Sequence, residues 1–94
     1  MSLSLAHDPR TVSSRDQRAE FGDAEAQFDL GLRYSTGDGL EVDYVTAHQW
    51  FNLAAMAGLP AARAMRAEIA RDMSAEQIAE AQRRARAWLR HHTH

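Results

Sequence analysis

Ninety-four residues make one small domain, whose margin of stability is thin. The chain has no cysteine, which excludes disulfides, thiolate nucleophiles and cysteine-held metals. No apolar run approaches the roughly 18 residues of a membrane span.

Residues 1–20 also lack the basic start, apolar middle and small-residue cleavage site of a secretory signal, so a cytoplasmic location is expected. All eleven basic residues are arginine and alanine is abundant, a composition expected of a GC-rich bacterial genome. Charge is unevenly placed. Residues 1–58 carry four arginines against nine acids, a net of −5; residues 59–94 carry seven against four, a net of +3. That asymmetry fits two solvated faces, head-to-tail attraction between copies, or an acidic partner for the basic half.

Residues 1–20 mix Ser, Asp, Arg and Pro without a sustained apolar period and read as a poorly ordered lead-in. The composition from Ser14 onward tolerates a short helical turn. The first helix is predicted over about 23–35, with Gly22 as N-cap and Asp23 and Glu25 at the positive end of the dipole. Ala26, Leu30 and Tyr34 form its apolar stripe, with Gln27 and Gly31 beside them. A glycine inside a helix costs about 1 kcal/mol against alanine, so Gly31 predicts another backbone passing close by.

Gly37 and Gly39 stop that helix. They do not make a phosphate loop, which would need a preceding strand and a lysine. Leu40 and Val42 are expected to fold back as an apolar plug, and Asp43 to cap the next helix.

The second helix, about 44–57, carries Ala47, Trp50, Phe51, Ala54 and Ala55 in a broad stripe widened by Leu53 and Met56. Thr46, His48, Gln49 and Asn52 form its polar strip. A helix this apolar packs between two neighbours. Trp50 lies on the stripe and reads as core. Gly58 ends the helix, and Pro60 opens a third, whose stripe is Ala62, Met65, Ile69 and Met73. Ser74 and Gln77 make a capping box for a fourth helix running to about Arg90. Its stripe is Ile78, Ala81, Ala85, Trp88 and Leu89, with a Glu80–Arg84 pair on the wet side.

Shifted by 36 residues against itself, the chain pairs Gly22 with Gly58, Ala26 with Ala62 and Gly31 with Ala67. Leu30 meets Arg66 and Tyr34 meets Ala70, so the second copy has lost its larger core residues. Paired helices at this period mark an all-α, α/α helical hairpin solenoid.

The run Ala26, Leu30, Gly31, Tyr34, Gly37, Gly39, Asp43, Ala47, Trp50, Ala54, Ala55 and Gly58 resembles the Sel-one-like repeat, a relative of the tetratricopeptide repeat. The resemblance covers about 22–58 closely and continues loosely to Leu89. It implies an all-helical hairpin stack and a role in protein–protein contact, as an adaptor or regulator, without catalysis or cofactor. The organisation expected is a lead-in at 1–20, one repeat at 21–58, a degenerate half repeat with a capping helix at 59–90, and a His-rich tail at 91–94. By the same resemblance the exposed positions of the first helix of each pair line the binding surface, which nominates Asp29, Arg33, Arg63 and Arg66. The alternative is a self-associating unit that completes a solenoid in trans, since solenoid units do not bury their apolar faces alone.

Chemistry finds little to stand on. A catalytic pocket needs a nucleophile and a base together, and the candidates, His48, Asp29 and Glu68, are scattered. His91, His92 and His94 sit close in sequence, but a metal centre wants fixed geometry. Arg83, Arg84, Arg86 and Arg90 beside Trp88 would suit a nucleic acid. Against that stand Glu76 and Glu80 on the same helix and a formal net charge of −2. The partner expected is another protein or peptide, or a second copy.

Overall fold

The computed structural model describes residues 14–92, which form five helices in chain order. They are α1 (Ser14–Glu20), α2 (Ala24–Thr36), α3 (Tyr44–Met56), α4 (Pro60–Ala70) and α5 (Ala75–His92). Helix α3 is the hub: α2, α4 and α5 all pack on it, while α1 packs on α2.

The lead-in reading needs correction over 14–20, which are helical, with Ala19 fully buried; residues 1–13 lie outside the described residues. A second correction follows from α1. Gly22 does not cap α2; it ends α1. With φ at 93°, it lets its own N–H reach the Ala19 carbonyl and the Asp23 N–H reach that of Arg18, the paired bonds of a Schellman stop. The N-cap of α2 is Asp23, whose carboxylate accepts from the Ala26 N–H at 3.1 Å. Gly58 closes α3 in the same way, with Gly58 donating to Ala55 and Leu59 to Ala54. The 36-residue pairing of these two glycines is therefore a repeated helix stop.

Asp43 caps α3 as expected, accepting from the Thr46 N–H at 3.1 Å and from its hydroxyl at 2.7 Å. The Asp43 N–H donates back to the Tyr34 carbonyl, so the two-glycine turn is tied to the end of α2. The apolar plug is half made, since Leu40 is half-buried while Val42 is 54% exposed.

Gly31 explains how α2 and α3 come together. A Cβ there would lie 2.5 Å from carbons of the Phe51 ring, closer than packed atoms tolerate. Phe51 is fully buried in that space, with Phe28 tilted against it at 5.6 Å. The close neighbour is thus an aromatic ring rather than a backbone.

The core lies on two sides of α3. One cluster holds Ala19, Ala26, Leu30, Trp50, Leu53 and Ala85, with Trp88 and Leu89 against it. The other holds Ala47, Phe51 and Ile69, with Phe28, Leu32, Met65 and Met73 against it. Trp50 is core, as its stripe predicts. Met56, expected to widen that stripe, is instead 58% exposed.

Both arms of the capping box form, Gln77 N–H to Ser74 Oγ at 3.1 Å and Ser74 N–H to Gln77 Oε1 at 2.8 Å. Helix α5 runs two residues past Arg90. His92 stacks on Trp88 with ring centroids 4.1 Å apart, and its Nδ1 lies 2.7 Å from the Trp88 carbonyl, which holds the last turn.

Candidate functional site

The four nominated positions do not form one surface. Asp29 lines a hollow between α1 and α2 with Arg18, Asp23 and Glu25. Arg33 reaches over the two-glycine turn, where its Nε lies 3.5 Å from the Asp38 carbonyl. Arg63 and Arg66 are brought together. They line a hollow of about 300 Å³ whose other walls include Ala55 and Met56 of α3 and Leu59 and Pro60 of the following turn.

The 36-residue register explains this hollow. Arg66 occupies the place of Leu30 and Arg63 that of Gln27, and both Leu30 and Gln27 are buried in the first copy. Guanidiniums thus stand 36 residues on from two core positions. Helix α5 then packs on α3 rather than closing over α4, so the arginines are left facing a depression with an apolar floor. Arg63 is exposed and Arg66 half-buried. Arg66 donates to the side-chain oxygen of Asn52 on α3, which fixes where its charge is presented.

Behind that hydrogen bond lies a feature that sequence patterning misplaces. His48, expected on a solvated polar strip one turn before Asn52, is 3% exposed, and its Nδ1 has no hydrogen-bond partner in the protein. Burial, with the Arg66 charge adding to it, pushes its pKa below the ordinary histidine value of 6.5. Both effects favour the neutral ring. The strip was legible as polar, but nothing in its spacing said that α4 would lie over it.

Two of the four arginines of α5 are tied to a neighbouring acid. Arg83 and Arg84 both hydrogen-bond Glu80 and hold its carboxyl below the usual carboxylate range. Arg84 also reaches Thr46 Oγ1 at 3.4 Å. Around Asp43, burial acts to raise the pKa, but the Thr46 hydrogen bonds and the Arg84 charge outweigh it and lower it. Trp88 packs edge-on against Trp50 at 6.3 Å and so is turned toward the core.

Among the described residues no three His, Asp or Glu side chains are grouped so as to hold a metal ion. His94 lies outside them. His92 is committed to Trp88 on one side and stands 3.7 Å from a Glu20 carboxylate oxygen on the other. No helix among the described residues is long and apolar enough to cross a membrane.

A helix, a two-glycine turn and a second helix crossing at a glycine, with a third helix laid on the second, define an α/α hairpin of the tetratricopeptide class. Residues 24–59 match the family model described as Sel1 repeat, and this segment, from the start of α2 to the residue before α4, is a Sel1-like repeat. No curated protein and no solved structure matches the chain. Sel1 repeats generally serve as protein–protein interaction modules, and the proteins they build are generally non-catalytic scaffolds.

Proposed function

We propose that this chain is a non-catalytic protein-binding module, an adaptor or regulatory scaffold, that grips an acidic segment of its partner at Arg63 and Arg66. The observation that carries this reading is the pairing of two guanidiniums in one hollow, at register positions where the complete copy buries its side chains. A carboxylate is the natural complement. Guanidinium presents paired donors to it in a fixed plane, and the hollow's apolar walls lower the competition from water.

The +3 excess over residues 59–94 favours the same sign of partner. The neutral, enclosed state of His48 supports the non-catalytic part. Asp29 and Arg33 stand apart from this hollow, and the proposal does not rest on them.

The test is capture from native lysate with the wild-type chain and with the double variant Arg63→Glu/Arg66→Glu, after checking that both melt alike. The expected result is a protein retained by the wild type at about one copy per chain and lost from the variant. Equal retention by both would remove the arginines from the site. Recovery of further copies of the bait alone would favour self-association, and nuclease-sensitive material would favour nucleic acid.

A further inference from the structure

On the far side of Met56 from the arginine hollow lies a smaller pocket of about 200 Å³. Gly22, Gln27, Leu53, Met56, Trp88 and Leu89 line it, so it sits where the α1–α2 turn, the end of α3 and the end of α5 converge. An apolar cavity of about 150 Å³ is large enough to take benzene, so this one has room for a branched aliphatic side chain. Its rim is apolar too. Met56, one of its walls, is 58% exposed.

Two of its walls carry polar atoms with no partner in the protein. Gln27 is 1% exposed and spends its amide nitrogen on the Ala19 carbonyl at 3.2 Å. That bond fixes the amide's orientation, because a carbonyl accepts only from the nitrogen end, and it leaves Gln27 Oε1 buried without a donor. Trp88 Nε1 is the converse, a buried donor without an acceptor. Buried polar atoms are nearly always satisfied. One orphan acceptor and one orphan donor, both closed to solvent, belong to residues that line a single apolar pocket, a pairing that suits an occupant able to supply one of each.

We propose that this pocket binds an aliphatic side chain of a partner peptide together with its neighbouring backbone amides, an N–H donating to Gln27 Oε1 and a carbonyl accepting from Trp88 Nε1–H. Both atoms are closed to solvent in the free chain, so admitting the occupant requires a wall to shift, a part that suits Met56, unbranched and exposed. Beside the arginine hollow, with Met56 shared between them, the pocket would read sequence where the arginines read charge. It does not depend on those arginines.

The test titrates N-acetyl-leucinamide, a neutral probe with one aliphatic side chain and two amides, while following the indole N–H signals by NMR. The chain has two tryptophans, so the readout is two resolved signals. The expected result is a saturable shift of the Trp88 signal with Trp50 little changed. N-acetylglycinamide, lacking the side chain, should bind at least about tenfold more weakly. Gln27→Leu should weaken binding by about tenfold or more. Ala57→Leu, which fills the pocket from its rim without touching either polar atom, should abolish the shift.

Arg63→Glu/Arg66→Glu should respond as wild type, which separates failure here from failure of the arginine site. A shift that never saturates, equal affinity for both probes, or full binding by Ala57→Leu would overturn the proposal. So would a Trp88 signal that moves on dilution alone, which would assign the pocket to a second copy. A persistent contact of that N–H with bound water, unmoved by the probe, would overturn it as well.

Discussion

The two helix pairs of this chain share a 36-residue register of small residues and glycines but are built differently. In α2 and α3 both N-caps are aspartates whose carboxylates accept from the helix, the turn over 37–43 is tied back to Tyr34, and Gly31 opens the space that Phe51 fills. In α4 the cap is Leu59, with no side-chain bond. Ala67 stands where Gly31 would be and Arg66 where Leu30 would be, and α4 and α5 each pack mainly on α3 rather than on each other. Positions released from core packing are free to carry charge. The first pair is capped and packed through the core, whereas α4 carries two arginines beside one hollow.

If that division is right, damage should be graded. Trp50→Ala, in the complete pair and 7% exposed, should lose about 3–5 kcal/mol by urea unfolding. Gly31→Ala comes next, at about 1–3 kcal/mol, because the new methyl group drives into the Phe51 ring. A double-mutant cycle with Phe51→Leu should return a coupling of about 0.5 kcal/mol or more, since the smaller side chain vacates that space. Strict additivity would mean that the ring is not what Gly31 accommodates. Asp43→Ala should cost about 1 kcal/mol through its lost cap.

A pH effect sharpens the same comparison, because His48 lies between the pairs. Its folded pKa is lowered, so the unfolded chain takes up a proton first as the pH drops. Stability from this group is complete above the unfolded value of about 6.5. It drains as the pH falls from there to the folded value, and below that it changes no further. The urea midpoint should therefore decrease between pH 7.5 and 5.5, and His48→Gln should flatten the slope. The carboxylates Asp43 and Glu80, both lowered, act in the same direction but only below the normal carboxylate range near pH 4.

Much of the fold was legible because local rules and packing agreed. Asp43, the Ser74–Gln77 box and the Trp50 stripe each follow from residue type at a fixed spacing, and Gly31 marked a close neighbour while leaving it to the structure to show a ring rather than a backbone. What escaped was settled by neighbours that spacing does not reveal. Gly22 looks like a helix start unless α1 is known to precede it. His48 looks solvated until α4 is laid over Asn52, and Met56 looks buried until α5 is found to leave it uncovered.

The candidate site was legible in part. Arg63 and Arg66 were nominated and share a hollow, whereas Asp29 and Arg33 were nominated on the same argument and lie elsewhere. Gln27 was passed over as a flanking polar residue. Its clue lay in the repeat register, where its counterpart is Arg63.

Native-state hydrogen exchange tests the division between the two pairs most directly. The amides of α2 and α3 should be the slowest to exchange, approaching the free energy of global unfolding, with those of α4 opening measurably earlier. Slowest exchange in α4, or uniform protection across α2 to α5, would contradict the account.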